Sequence, residues 1–170
     1  YPFQLSGGMR QRVCIAMALS VERKLLLADE PTTSLDVTIQ DQMLELIHDL
    51  SVSKGLSVVL VTHSMGVVRE MTDRVSVMYA GSIVENGMTK QVLEHPIHPY
   101  TVALISCIPK LTGAGVAEGI PGRIPDYANP PQGCRYVDRC PNALPECREH
   151  KPLLRDIGNG HFIACHNPGR

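Results

Sequence analysis

The sequence predicts an α/β protein: a mainly parallel sheet with flanking helices, followed by a small, irregular, cysteine-rich region. Two apolar runs without polar alternation, residues 25–28 and 57–62, are typical of parallel strands that are buried on both faces. Helical patterns alternate with these runs, which favours a sheet covered by helices. Four of the six cysteines lie after residue 130, in a stretch rich in proline and glycine.

The composition is that of a globular protein and excludes two broad classes. The 170 residues are 44% hydrophobic and 19% charged, with a formal net charge of −1. A basic excess, which nucleic-acid-binding proteins usually show, is absent, and no apolar run approaches the length of a membrane-spanning helix. We therefore expect no nucleic-acid partner. The first residue is Tyr1 and not Met, so we expect the chain to be a piece of a longer protein.

A serine and two glycines precede the first helix, which is expected over residues 9–20. Ser6 is a good N-cap, and Gly7 with Gly8 lets another surface approach the backbone closely. The free amides of such a helix start can bind an anion. An ordinary capped helix is the alternative interpretation, and the residues alone leave both open.

Two adjacent carboxylates end the first strand, and a histidine ends the second. Asp29 and Glu30 follow the apolar run directly, and Pro31 stops the strand. Because parallel strands present their carboxyl ends at one edge, His63 should share that edge with both acids. Paired acids suit phosphoryl chemistry, since one can hold magnesium while the other orients or deprotonates water. Acids that are merely solvated are the alternative.

The remaining elements continue the alternation. A helix over residues 37–53 carries one apolar stripe. A third strand over residues 74–79 should pair with an antiparallel partner over residues 82–86. Helices are expected over residues 89–94 and 100–108. The apolar stripe of the helix over residues 37–53 consists of Ile39, Met43, Leu46, Ile47 and Leu50.

The clustered cysteines are candidate metal ligands. In a chain without a secretion signal, such a cluster indicates a metal site more readily than disulfides. Iron–sulfur ligation, structural zinc and disulfides all remain open, and His161 and His166 could substitute as ligands. The cluster consists of Cys134, Cys140, Cys147 and Cys165.

The other cysteines and histidines have simpler interpretations. Cys14 and Cys107 lie in apolar segments and are expected to be buried as small apolar residues. His95, His98 and His150 are expected to be surface loop histidines, although they also invite a metal-binding interpretation.

Four motifs, taken together, resemble the ATP-hydrolysing subunit of ABC transporters. Residues 5–11, LSGGMRQ, resemble the ABC signature, and residues 26–30, LLADE, resemble the Walker B strand with its catalytic glutamate. Residues 34–36, SLD, resemble the D-loop, and His63 resembles the switch histidine. This resemblance covers roughly residues 1–88.

The rest of the chain is similar to a narrower group, the oligopeptide and dipeptide importers, which also includes nickel and glutathione importers. Residues 98–101, HPYT, residues 120–122, IPG, and the spacing of the four tail cysteines carry this resemblance. It implies three regions: residues 1–88 as the C-terminal half of an ATPase domain, residues 89–111 as linking helices, and residues 112–170 as the peptide-importer extension. In this family the four cysteines are taken to hold a [4Fe-4S] cluster, with Zn²⁺ as the alternative here.

The resemblance implies roles for the strand-end residues. Two ATPase subunits would close head to tail around ATP and Mg²⁺. Asp29 would coordinate Mg²⁺, Glu30 would polarise the attacking water, and His63 would contact the γ-phosphate. Asp36 would cross the dimer interface at the bound nucleotide.

The signature would act on the ATP of the partner subunit. Ser6, Gly7 and Gly8 would face its γ-phosphate, and Gln11 belongs to the same nucleotide-binding motif. No G-x-x-x-x-G-K-[ST] string, the loop that cradles phosphates, occurs in the chain. The chain alone is therefore expected neither to bind nor to hydrolyse ATP. A non-catalytic metal-binding or interaction fragment is the alternative function.

The implied partners are a second ATPase subunit, two transmembrane permease subunits and, indirectly, an extracytoplasmic solute-binding protein. The subunit would lie peripherally on the cytoplasmic face of a bacterial or archaeal plasma membrane. It would couple ATP hydrolysis to import of peptides or related solutes such as nickel or glutathione. The tail disfavours an ABC ATPase without membrane partners, as in DNA repair or translation.

Overall fold

The structure, a computed structural model, describes residues 1–33, 35–108 and 119–168. It divides into two compact units, Tyr1–Val67 and Val68–Arg170. None of the helices in the described ranges is long and apolar enough to cross a membrane. Two sequence expectations lie outside the described residues: the part of Ser34 in the D-loop, and the boundary between the linking helices and the extension at residues 111–112.

The first unit is built from two helices and two strands. They are α1 (Gly7–Leu19), β1 (Leu25–Asp29), α2 (Val37–Lys54) and β2 (Ser57–Val61), and α3 (Met65–Met71) contains the division between the units. Ser6 caps α1 as expected, because its side chain accepts a hydrogen bond from the Met9 amide at 3.2 Å. Helix α2 ends at Gly55, whose φ of 58° is left-handed and suits glycine.

Strands β1 and β2 are parallel neighbours. Leu27 pairs with Val59, and Asp29 pairs with Val61, so the two strands end together. This register confirms the expectation that the acids and the histidine share one edge of the sheet.

The expectation that both strands are buried on both faces is wrong for this structure. Leu27 is 71% exposed and Val59 is 49% exposed, whereas Ala28 is buried. The side chains of a strand point alternately to opposite faces, and in this two-stranded sheet one of the faces carries exposed apolar residues. A similar exposure affects α1, which has no buried residue.

Helix α2 packs through part of the expected stripe. Its buried residues are Met43, Leu44 and Ile47, whereas Leu46 is 38% exposed. Cys14 on α1 is exposed and Cys107 is half-buried, so the expectation of burial is wrong for Cys14.

The second unit contains a four-stranded antiparallel sheet, in the order β3 (Arg74–Tyr79), β4 (Ser82–Met88), β6 (Phe162–Ile163) and β5 (Arg155–Asp156). The sequence predicted a β3–β4 hairpin at the margin of the parallel sheet; the hairpin is confirmed, but the described strands form two separate sheets. The elements of this unit are β3 (Arg74–Tyr79), β4 (Ser82–Met88), α4 (Thr89–Glu94), α5 (Pro99–Ser106), α6 (Glu146–Glu149), β5 (Arg155–Asp156) and β6 (Phe162–Ile163).

The C-terminal tail completes this sheet, which the sequence did not predict. Glu85 pairs with Ile163 and Asn86 pairs with Phe162, and the Ala164 amide donates to the Val84 carbonyl at 2.9 Å. Residues 119–168 contain only short regular elements, as expected from the prolines and glycines.

An aromatic cluster forms the core of the second unit. Tyr79, Tyr100 and Tyr136 have ring centroids 4.6 to 5.4 Å apart. Arg139 lies over the Tyr79 ring at 5.9 Å and donates to the carbonyls of Ile120 and Pro121. Arg139 therefore links residues 120–121 to the β3 residue Tyr79.

Candidate functional site

The candidate site lies at the carboxyl ends of β1 and β2. Glu30 follows β1 and His63 follows β2, and Glu30 Oε1 lies 2.8 Å from His63 Nδ1. The Glu30 amide donates to the Val61 carbonyl at 2.9 Å, which holds the first residue after β1 against the neighbouring strand. The parallel register therefore places the Glu30 carboxylate within hydrogen-bond distance of the His63 imidazole.

A tight turn fixes the Glu30 side chain. The Thr33 amide donates to the Glu30 carbonyl at 3.1 Å, and the Thr33 hydroxyl donates to Glu30 Oε2 at 3.0 Å. Glu30 itself has a φ of 46°, in the left-handed region that residues other than glycine rarely adopt. Such backbone persists where the surrounding contacts hold it, and it is concentrated at functional sites.

The contacts of Glu30 also set its charge. Its hydrogen bond with His63, and secondarily the one with Thr33, holds the pKa of the carboxyl below its ordinary value. The group is therefore a carboxylate at neutral pH and is able to accept a proton or orient a water molecule. Asp29, which precedes it, is exposed at the same strand end. Its carboxylate oxygens are suitable ligands for a hard cation such as Mg²⁺.

The expected nucleotide-binding residues of α1 lie at its exposed start. Ser6 and Gly7 are exposed and Gly8 is half-buried, and the Ser6 hydroxyl is engaged as the helix cap. Gln11 differs, because its side-chain amide donates to the Pro31 carbonyl within the turn after β1. Asp36 caps α2, with its Oδ1 accepting from the Ile39 amide at 3.0 Å.

The four tail cysteines form no disulfide bond. Burial raises the pKa of the Cys165 thiol to about 11, and Cys140, Cys134 and Cys147 add smaller contributions in the same direction. The Cys134 amide donates to the Cys147 carbonyl at 2.7 Å. Within residues 1–33, 35–108 and 119–168, however, no group of three or more Cys, His, Asp or Glu side chains is arranged to hold a metal ion. The expected metal site is thus not assembled in this structure.

A buried polar network in the second unit was missed by the sequence analysis. Glu85 has no exposed surface, and its carboxylate accepts hydrogen bonds from the Ile97 and His98 amides at 2.9 and 3.0 Å. The same carboxylate lies 2.8 Å from His161 Nε2. Glu85 stands between the apolar Val84 and the polar Asn86 in a strand without regular alternation, so no local pattern signals that it faces inward.

His98 is the clearest error among the histidine expectations. It is 1% exposed and caps α5, with Nδ1 accepting from the Tyr100 amide at 3.0 Å. Burial lowers its pKa to about 4, so the ring is neutral at physiological pH. Its position directly before Pro99, which favours the first turn of a helix, was the available signal.

Comparison with known proteins agrees with these features. The family described as "ABC transporter" matches residues 1–33, and the family described as "Oligopeptide/dipeptide transporter, C-terminal region" matches residues 84–147. The oligopeptide transport ATP-binding protein AppD of Bacillus subtilis is 49% identical over 97% of this chain and 51% of its own length. The dipeptide transport ATP-binding protein DppD of Haemophilus influenzae is 47% identical over 99% of this chain and 51% of its own length. The chain thus spans about half the length of these relatives.

Solved structures support the fold. A metal-chelate type ABC transporter in an inward-facing conformation is 33% identical, with a TM-score of 0.54, over 61% of this chain and 39% of that chain. The cbiO1 protein of Clostridium perfringens, part of the ABC transporter complex cbiONQ, is 32% identical. Its TM-score is 0.51 over 55% of this chain and 38% of that chain.

Proposed function

We propose that this chain supplies the hydrolytic residues of an ATPase subunit. Its membership in the oligopeptide and dipeptide type of ABC transporter ATP-binding proteins supports the proposal. One observation carries the proposal: Glu30 Oε1 lies 2.8 Å from His63 Nδ1 at the ends of adjacent parallel strands. Asp29 precedes Glu30 at the same edge, so a cation ligand and a candidate base are next to each other.

In the proposed mechanism, Glu30 and His63 act on the attacking water and the γ-phosphate of ATP. The lowered pKa keeps Glu30 ionised, so that it can polarise the water as a general base, a role worth about 10²–10⁴-fold in rate. The contact with Glu30 orients the His63 ring for the γ-phosphate. Asp29 would hold Mg²⁺, which would supply positive charge to the phosphate oxygens.

The start of α1 would serve a second nucleotide. In a head-to-tail pair of ATPase subunits, Ser6, Gly7 and Gly8 would face the γ-phosphate of the ATP bound to the partner. Their exposure at a helix start and the helix dipole support this proposal. Asp36 would reach the interface of the pair.

The proposal extends to the transported solute and the other partners, and oligopeptide and dipeptide transport by the relatives supports peptides as the solute. We propose a subunit that powers import of peptides, with nickel and glutathione as related solutes. Its partners would be a second ATPase subunit and two transmembrane permease subunits, with a solute-binding protein acting indirectly. The subunit would lie peripherally on the cytoplasmic face of the membrane. Residues 1–88, 89–111 and 112–170 would be its ATPase half-domain, linking helices and importer extension.

We also propose that the tail cysteines ligate a [4Fe-4S] cluster, with Zn²⁺ as the competing occupant. Four thiols are a suitable donor set for either, and the 2.7 Å hydrogen bond from the Cys134 amide to the Cys147 carbonyl places two of these residues next to each other. Ligation would replace the protons that the raised pKa values keep on the Cys134, Cys140 and Cys165 thiols. Anaerobically purified protein should show a broad visible absorption band with matching iron and sulfide. Cys147→Ser should reduce both, whereas Cys14→Ser should not; zinc in place of iron would refute the cluster.

The test of ATP hydrolysis uses a complete subunit, which contains this chain and the region that corresponds to the other half of its relatives. Glu30→Gln should retain ATP and lower turnover by about 10²–10⁴-fold. Glu45→Gln, an exposed change on α2, should leave turnover unchanged. Undiminished hydrolysis in Glu30→Gln would refute the assignment of Glu30.

The chain on its own should not bind ATP, because it contains no G-x-x-x-x-G-K-[ST] string. Titration calorimetry with Mg-ATP should give no heat at micromolar protein concentration. Micromolar binding would refute this expectation. If the complete subunit also fails to bind ATP, the alternative of a non-catalytic metal-binding or interaction fragment is favoured.

A further inference from the structure

The turn after β1 is held from three directions. His63 and Thr33 bind the Glu30 carboxylate, and the Thr33 amide closes the turn on the Glu30 carbonyl. The third contact comes from α1, where the Gln11 side-chain amide donates to the Pro31 carbonyl. Gln11 lies twenty residues before Pro31 in the sequence, so this is a tertiary contact between the helix and the turn.

The Gln11 contact acts on the strained part of the backbone. Pro31 directly follows Glu30, whose φ is 46°. Pro31 is buried, and its carbonyl belongs to the peptide in the middle of the turn from Glu30 to Thr33. A donor on this carbonyl restricts rotation of the turn, because rotation would break the hydrogen bond. The left-handed conformation at Glu30 needs such external contacts to persist.

The start of α1 is itself fixed against the segment that follows the turn. A Cβ atom on Gly8 would lie 2.9 Å from Ile39 Cγ2, and one on Gly7 would lie 3.9 Å from Leu35 Cδ2. The helix therefore approaches α2 as closely as glycine allows at position 8. Gln11, one turn further along α1, also borders a groove of about 540 Å³ that Asp29 and Pro31 line. The donor on Gln11 is consequently carried by a helix whose position relative to the turn is set by close packing.

We propose that Gln11 is a positioning residue that holds the Glu30–Pro31 turn and thereby aims the Glu30 carboxylate. The inference rests on the proposed function for its consequence in catalysis. It assigns Gln11 to the turn of its own chain, and not to direct contact with a nucleotide. Losing its donor should allow the turn to rotate, so that Glu30 is misplaced while the nucleotide-binding surfaces are retained.

The test compares variants at position 11 with and without a side-chain donor. Gln11→Met keeps the length of the side chain and removes the donor, and Gln11→Lys restores a donor on a longer side chain. Gln42→Met is the matched control, because Gln42 is an exposed glutamine of the same unit whose Oε1 accepts from Arg12.

The first measurement uses this chain alone. In NMR spectra, Gln11→Met should shift the amide resonances of Thr32 and Thr33, whereas Gln42→Met should leave them unchanged. Gln11→Lys should move both resonances back towards the unsubstituted values. Unchanged Thr32 and Thr33 resonances in Gln11→Met would overturn the proposal.

The second measurement uses the complete subunit. Gln11→Met should lower kcat for ATP hydrolysis by about 10- to 100-fold with an unchanged KM, since misplacement of a catalytic group by about 1 Å has effects of that size. Gln11→Lys should recover part of the loss. A raised KM with unchanged kcat would instead show that Gln11 contacts the nucleotide. If Glu30→Gln does not impair hydrolysis, the proposed function fails, but the NMR result still decides the contact between Gln11 and the turn.

Discussion

Glu30 and His63 are separated by 33 residues in the sequence, yet 2.8 Å separates Glu30 Oε1 from His63 Nδ1. The parallel register that pairs Asp29 with Val61 brings them together, since it aligns the ends of β1 and β2. The resulting contact has measurable consequences for the charge of Glu30.

Removing His63 should raise the pKa of Glu30 towards its ordinary value. The His63 hydrogen bond is the largest cause of the lowered pKa, and Thr33 is the next. His63→Ala should therefore have a larger effect than Thr33→Val, as followed by the ¹³C shift of the Glu30 carboxyl during a pH titration. His48→Ala, which removes an exposed histidine of the same unit, is the control. Equal pKa values for His63→Ala and the unsubstituted chain would contradict the expectation.

The same pKa shift gives the sign of a pH effect on stability. Because folding lowers the pKa of Glu30, the folded state holds this proton less tightly than the unfolded state does. The stabilising contribution is complete above the unfolded pKa and is lost as the pH falls through the folded pKa. His63→Ala should weaken this acid-side dependence in urea unfolding curves.

Asn in place of His98 should flatten the pH dependence of the second unit. The folded pKa of His98 is about 4, so the unfolded state binds more protons between pH 4 and 6.5. Stability should thus fall as the pH decreases through this window, by at most about 3 kcal/mol. Asn retains a side-chain acceptor for the helix cap and does not titrate. Tyrosine fluorescence is a suitable probe, because the second unit contains Tyr79, Tyr100, Tyr127 and Tyr136.

His95→Asn is the control for His98→Asn, since His95 is exposed. It should leave the pH dependence of unfolding unchanged. If His98→Asn and the unsubstituted chain lose stability equally between pH 6.5 and 4, the assignment of this titration to His98 is wrong.

Glu85 and His161 should be energetically coupled. Glu85→Gln leaves the buried His161 ring and the Ile97 and His98 amides with a poorer acceptor, and we expect a loss of about 1–3 kcal/mol in unfolding free energy. In a double-mutant cycle with His161→Gln, the two losses should not add, because the two side chains are in contact. Additive losses within about 0.3 kcal/mol would contradict the coupling. Glu94→Gln, on an exposed residue of α4, should be neutral.

The chain alone should self-associate through the exposed face of β1 and β2. Parallel sheets are almost always covered on both faces, yet Leu27, Val59 and Val61 are 71%, 49% and 54% exposed. Leu27→Lys with Val59→Lys should lower the mean mass in sedimentation velocity. Leu153→Lys should not, although Leu153 is 83% exposed, because it lies in the second unit. A monodisperse monomer that melts cooperatively would contradict this expectation.

Several errors of the sequence analysis share one origin, which is that burial depends on the neighbours that the fold supplies. The apolar run over residues 25–28 gave the correct strand, but one of its faces is open. His98 was expected at the surface, and the core of the second unit encloses it. The burial of Glu85 was not predicted, because a single acidic residue in a strand is ordinarily expected to be solvated.

The sequence by itself determined the local elements and the order of the chemical groups. Apolar periodicity and the Ser6 cap indicated helices, and the motifs placed Asp29, Glu30 and His63 at the ends of two strands. These features depend on residues close together in the chain, so that local physical rules suffice to predict them.

Only the tertiary structure decided which distant groups meet. It joined the tail strand β6 to β4, placed the Gln11 amide on the Pro31 carbonyl and enclosed Glu85 with His161. Each of these contacts closes a loop of 20 to 78 residues, and closing such a loop has an entropic cost. No local sequence pattern shows whether the contacts formed are strong enough to offset that cost. The strand pairing and side-chain packing that determine them exist only in the folded chain.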